Sequence, residues 1–193
     1  MKSIIGTSLV AIAVLAFAAC GNGNNNADAP AKTDSTEHTD HTGHNHAAEK
    51  PAEQTKTAGV QIKDDMLNAV YQQYAALTAA LVESDAAKAK VAANAIEAGA
   101  KELKGAEAIA AAAAKITTAK DIDAQRIAYS DLSNNLITLV KKSGINSGEL
   151  YVEFCPMAMN DKGGYWISND KAIKNPYFGA SMLTCGDVKE TLQ

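Results

Sequence analysis

Apolar positions recur at helical spacing through the middle of the chain. Leu67, Val70, Tyr74, Leu77 and Leu81 step by threes and fours, which puts them on one stripe of an amphipathic helix. Asp64 or Lys63 stands near its start, and Ser84-Asp85 supplies an N-cap for a second helix. That helix runs to about Leu103 with Ala92, Ile96, Gly99 or Ala100, and Leu103 turned inward. Gly105 interrupts, and an Ala-rich stretch from Ala106 to about Ala119 makes a third helix. Asp121 caps a fourth, in which Tyr129, Leu132, Leu136 and Leu139 repeat the stripe before Lys141-Lys142 and Gly144 close it. Four helices on short connections predict a mainly α fold, an up-down four-helix bundle. Tyr71, Tyr74 and Tyr129 read as packing residues, with a cofactor pocket as the lesser alternative. Many inward positions of helices two and three are Ala, and each buries little apolar area.

The period changes after Asn146-Ser147-Gly148. Leu150, Val152 and Phe154 alternate with Tyr151 and Glu153, as in a short strand. Asn160-Asp161-Lys162-Gly163-Gly164 reads as a turn, Tyr165-Trp166-Ile167 as a returning strand, and Asn175-Pro176-Tyr177-Phe178-Gly179 as a second turn. Residues 59–193 are therefore expected to form a helical bundle with a small C-terminal β-hairpin and loop cap over about residues 148–193.

The chain ahead of that domain has a different character. Residues 1–19 carry Lys2 and then an uncharged apolar run from Ile4 to Ala19, the pattern of an export signal. The run ends in Phe17-Ala18-Ala19-Cys20-Gly21, which resembles a bacterial lipoprotein signal in which Cys20 becomes the lipidated first residue. An ordinary soluble export signal is the alternative. A lipid on Cys20 would hold the protein on a membrane of the cell envelope, facing the periplasm, without spanning it. Residues 20–58 hold almost nothing large and apolar, so they are expected to be a disordered tether. The net charge of −4, without any basic patch, argues against a nucleic-acid partner.

All 4 histidines lie in this tether, as His38, His41, His44 and His46. Such a tract is a candidate for weak capture of Cu(II), Zn(II) or Ni(II), against the plainer reading of a polar linker. The same placement leaves residues 59–193 without the commonest general base. That domain also lacks a phosphate-binding glycine loop, a nucleophile elbow and an HExxH motif, so no enzyme is expected.

Chemistry concentrates instead in sulfur. The sequence has 3 Cys and 5 Met, of which Cys155, Met157, Met159, Met182 and Cys185 fall in the C-terminal segment. If Cys155, Met157 and Met159 continue the strand, period two puts all three on one face. Met182 and Cys185, three apart, are separated by about one helical turn. Thiolates and thioethers together select soft ions such as Cu(I). In an oxidising compartment the alternative is a Cys155–Cys185 disulfide, closing a loop of about 31 residues for roughly 3.5–4 kcal/mol in the chain-entropy model.

The stretches Tyr151–Asn160, Gly163–Ser168, Asn175–Gly179 and Met182–Glu190, with their Cys-Pro-Met, Asn-Pro-Tyr-Phe-Gly and Met-Leu-Thr-Cys-Gly motifs, resemble a bacterial domain family of unknown function. The helical part, especially Leu81–Ala89, is similar to the same family, and the resemblance spans about Val60 to Leu192. Its members occur as exported or lipid-anchored proteins and appended to periplasmic adaptor subunits of copper/silver efflux pumps. The resemblance implies metal handling, with copper as the ion and such an adaptor as a partner. The ligand roles of the five sulfur residues follow from their own chemistry.

Overall fold

The structure, a computed structural model, describes residues 59–193. It is mainly helical, with small antiparallel sheets. Four long helices, α1 (Asp65–Val82), α2 (Ala86–Lys101), α3 (Glu107–Thr118) and α4 (Ile122–Ser143), each pack on the next in sequence. Their starts are fixed locally. Asp64, Asp85 and Asp121 stand in extended conformation just before α1, α2 and α4, and their carboxylates accept the first free backbone N–H groups. No side chain caps α3, which follows Gly105 at φ +83°.

The apolar stripes become the core. Leu67, Tyr74, Leu77 and Leu81 of α1 meet Ala89, Ala93 and Ile96 of α2, and Tyr129, Leu132 and Leu136 of α4, all buried in one cluster. Leu139, expected to face inward, is half-buried, and Val140 takes the fully buried place beside it.

Polar groups inside this core are bonded to one another. The Tyr74 hydroxyl lies 2.8 Å from Ser133 Oγ, accepts from the Tyr129 hydroxyl at 2.8 Å, and accepts from the backbone N–H of Ile167 at 3.2 Å. The last bond ties the bundle to the sheet. Burial raises the pKa of both Tyr74 and Tyr129, so these hydroxyls stay protonated.

The strands are β1 (Gln61–Ile62), β2 (Ile145–Ser147), β3 (Leu150–Cys155), β4 (Gly164–Ser168) and β5 (Asp187–Leu192). β1 pairs with β2, and a second antiparallel sheet has the order β4-β3-β5. The expected hairpin is β3 and β4. β5, unmarked by any clean alternation in the sequence, adds the third strand.

A buried arginine holds the loop after β4 against the bundle. Arg126 of α4 donates from Nε to the Pro176 carbonyl at 2.9 Å. Its Nη2 donates to the Leu81 carbonyl at 3.1 Å and to Ser84 Oγ at 3.0 Å. Gly179 beside it has φ +57°, and a Cβ there would stand 2.7 Å from the Val82 carbonyl oxygen.

Among the described residues, no helix is long and apolar enough to cross a membrane. Cys20, His38, His41, His44 and His46 lie outside the described residues, as do the expected signal and tether.

Candidate functional site

Cys155 ends β3 and is fully buried. Cys185 precedes β5 and is half-buried. Strand register brings the two together: Phe154 pairs with Asp187, so the chain just ahead of β5 passes the end of β3. The two sulfurs stand 3.0 Å apart as free thiols. The hydrogen bond with Cys155, followed by burial, raises the Cys185 thiol above its ordinary pKa.

Close packing around the pair depends on two glycines and one asparagine. Gly164, opposite Cys155, leaves room for the Tyr177 ring, which a Cβ would approach to 2.6 Å. Gly186 has φ +141°, and a Cβ there would meet the Trp166 ring at 2.9 Å. Asn175 is fully buried and bonded on every side. Its Nδ2 donates to the Cys185 carbonyl at 2.8 Å, and its Oδ1 accepts from the Tyr177 N–H at 2.8 Å. Its own N–H donates to the Leu183 carbonyl at 2.8 Å. The Asn-Pro-Tyr-Phe-Gly turn is thus the brace that sets the backbone of Cys185. Sequence reading placed the turn and missed that role, because the bonded partner lies ten residues further on.

The methionines are distributed differently from expectation. The strand stops at Cys155, and Cys155, Met157 and Met159 do not share a strand face. Pro156 has no N–H to continue the ladder, and the chain turns there. Met157 is 47% exposed. Met159, with left-handed backbone at φ 55°, is half-buried and packs against the core. Met182 and Cys185 do belong to one turn, with the Cys185 N–H donating to the Met182 carbonyl at 3.1 Å. Among the described residues, no three side chains of His, Cys, Asp or Glu converge as a metal-ligating group. A soft-ion site here would therefore consist of two thiols plus whatever thioethers reach them.

A second polar feature was not expected at all. Glu153 was read as the outward partner in the strand's alternation, yet it is fully buried while Phe154 is half-buried. Neither carboxylate oxygen has a hydrogen-bond partner, and the hydroxyl of buried Tyr71 has none either. Burial raises the Glu153 carboxyl to a pKa of about 8; the indole N–H of its cross-strand neighbour Trp166 opposes the rise, Asp170 adds to it and Lys174 opposes it. No local pattern marks such a residue; a lone Glu in an apolar strand is an ordinary surface position.

These features define a mainly helical domain carrying a close thiol pair at one end of a small sheet. Residues 70–148 match the profile of a family described as "Protein of unknown function (DUF3347)". The match begins within α1 and ends ahead of β3, so it covers most of α1 with α2, α3 and α4 and stops short of Cys155 and Cys185. No curated protein and no solved structure matches the chain.

Proposed function

We propose that this is a lipid-anchored protein of the cell envelope that binds a soft metal ion, Cu(I) above all, and acts as a scavenger or chaperone for heavy-metal efflux. In this reading the four helices form an up-down bundle, and the sheet with its loops forms the cap that presents the site. The observation that carries the proposal is the meeting of Cys155 and Cys185, thirty residues apart in sequence, at a sulfur separation of 3.0 Å with Met182 in the same turn as Cys185.

Two thiolates on one tetrahedral ion at about 2.3 Å each stand about 3.8 Å apart. The pair must open by roughly 0.8 Å to hold such an ion, and the half-buried Cys185 on its turn is the side free to give. Binding would displace the thiol protons, so affinity should rise with pH. Met157, 47% exposed and two residues after Cys155, would offer its thioether for handing an ion to a partner, for which a periplasmic efflux adaptor is the candidate. The lipid on Cys20 and the histidines His38, His41, His44 and His46 would keep the protein at the membrane and collect ions from solution. The role is binding rather than catalysis.

The same distance favours a second reading. A disulfide needs the sulfurs at about 2.05 Å, a closure of about 1 Å. Cys155 and Cys185 would then staple the cap, and the protein would be an interaction module that docks on an envelope partner. One experiment separates the two. Reduced full-length protein should compete with bicinchoninate for Cu(I), and Cys155→Ser/Cys185→Ser should not. Equal, weak binding by wild type and double mutant would sink the metal site. Thiol titration of protein isolated without reductant, finding both cysteines oxidised and no bound metal, would establish the staple.

A further inference from the structure

The cap holds its two thiols together and offers a metal ion little else. The Cys155 and Cys185 sulfurs stand 3.0 Å apart as free thiols. Residues 59–193 contain no histidine, and no three side chains of His, Cys, Asp or Glu converge among the described residues. Asp187, whose charge acts on Cys185, also pairs with Lys189 Nζ at 3.4 Å. Met182 shares the turn of Cys185 and is half-buried. The donors at hand are chiefly soft.

The two oxidation states of copper accept different donors. Cu(II) suits nitrogen and oxygen ligands in tetragonal geometry, whereas thiolate and thioether sulfur selects Cu(I). Sites that keep copper beside a single thiolate add two imidazoles, which residues 59–193 cannot supply. A Cu(II) ion that reaches these sulfurs is therefore drawn to take an electron from them. Access is ordered as well. Cys155 is fully buried and Cys185 half-buried on its turn, so an incoming ion meets Cys185 first. Bringing the second sulfur from 3.0 Å to the disulfide length of about 2.05 Å is a closure of about 1 Å. Burial keeps Cys155 from a second protein molecule, so the bond forms within one chain.

We propose that the pair is a two-electron reductant of Cu(II), giving Cu(I) and a Cys155–Cys185 disulfide. The inference rests on the reading that the pair meets copper, and it adds what the pair does to the oxidised ion. Cu(II) displaces the Cys185 thiol proton and takes one electron from the sulfur. Cys155 loses its proton, its sulfur joins that of Cys185, and a second Cu(II) takes the remaining electron. In sum, two S–H bonds break, one S–S bond forms, two protons leave, and two Cu(II) ions become Cu(I). Both thiolates are consumed, so the oxidised pair releases its copper. It holds Cu(I) only when the ion arrives already reduced.

The test is anaerobic addition of excess Cu(II) to the reduced full-length protein carrying Cys20→Ser, which leaves Cys155 and Cys185 as its thiols. The excess keeps capture by His38, His41, His44 and His46 from starving the pair. The Cu(II) electron paramagnetic resonance signal should fall by two ions per chain as both thiols disappear. Peptide mapping should then find the Cys155–Cys185 disulfide in a monomer, a readout that needs no change at the pair. Zn(II), which has no redox chemistry, should leave both thiols intact. Cys155→Ser and Cys185→Ser should each reduce Cu(II) at least about tenfold more slowly, because the neighbour that makes the step intramolecular is gone. Persistence of both the thiols and the Cu(II) signal would overturn the proposal. So would a disulfide formed between chains, or single-cysteine variants as fast as the pair. Cu(I) competition with bicinchoninate on the same preparation separates this from the binding reading. Protein that holds Cu(I) but leaves Cu(II) unreduced sinks the reduction alone. Protein that reduces Cu(II) but binds no Cu(I) upholds the reduction and sinks the binding site.

Discussion

Replacing Glu153 by Gln should make the protein's stability less sensitive to pH, in a direction and by an amount set by burial. The carboxyl is held at a pKa of about 8 in the folded protein, against 4.5 for an ordinary glutamate. Between those values the folded chain keeps a proton that the unfolded chain has released. Stability from this group is therefore full below about pH 4.5 and falls as pH rises towards 8. The slope approaches about 1.4 kcal/mol per pH unit and slackens near each pKa, so from pH 5 to pH 7.5 wild type should lose roughly 3 kcal/mol at this position. That is a large share of the roughly 5–15 kcal/mol by which domains are stable.

Glutamine cannot ionise and is free of this loss. It brings its own buried amide, worth about 1–3 kcal/mol in unmet hydrogen bonding, but that cost is the same at every pH. The assay is urea unfolding of both proteins at several pH values from 5 to 7.5, with the cysteines in one fixed redox state. All other titrations are shared, so the difference between the two proteins isolates residue 153. It should move in favour of Glu153→Gln by about 3 kcal/mol across that range. A difference constant to within about 0.5 kcal/mol would show that the carboxyl is solvated in solution, and the buried-acid account would fail.

Two further outcomes follow from the same geometry. Oxidised wild type should exceed Cys185→Ser in stability by roughly 3.5–4 kcal/mol, and reductant should remove most of that gap; a gap insensitive to reductant in urea unfolding would exclude the disulfide. Tyr74→Phe should cost about 1–3 kcal/mol in the same measurement, because Tyr129, Ser133 and the Ile167 N–H all lose a buried partner; a cost near zero would mean that the hydroxyl cluster does not hold bundle and sheet together.

The helices were legible because their signals are local. Aspartates 64, 85 and 121 cap their own following turns, and the apolar steps of three and four need no partner to be read. The turn joining Met182 and Cys185 was visible for the same reason. Periodicity misled at Cys155-Pro156-Met157, where the alternation ran on through a proline that ends the strand. It also misplaced Glu153, because period two tells which residues share a face and not which face is covered. Here the side bearing Glu153, Trp166 and Cys155 is closed over by the chain between β4 and β5.

The sequence by itself therefore determined the helical domain, the positions of its caps, and the concentration of sulfur in the last segment. Each of these rests on interactions within a few residues. Only the tertiary structure decided that Cys155 and Cys185 touch, that the methionines disperse, and that the Tyr71 hydroxyl and the Glu153 carboxyl are buried. Those facts depend on the register of β5 against β3 and on the packing of α1 against the sheet. Pairings between residues thirty to eighty positions apart leave no periodic trace along the chain.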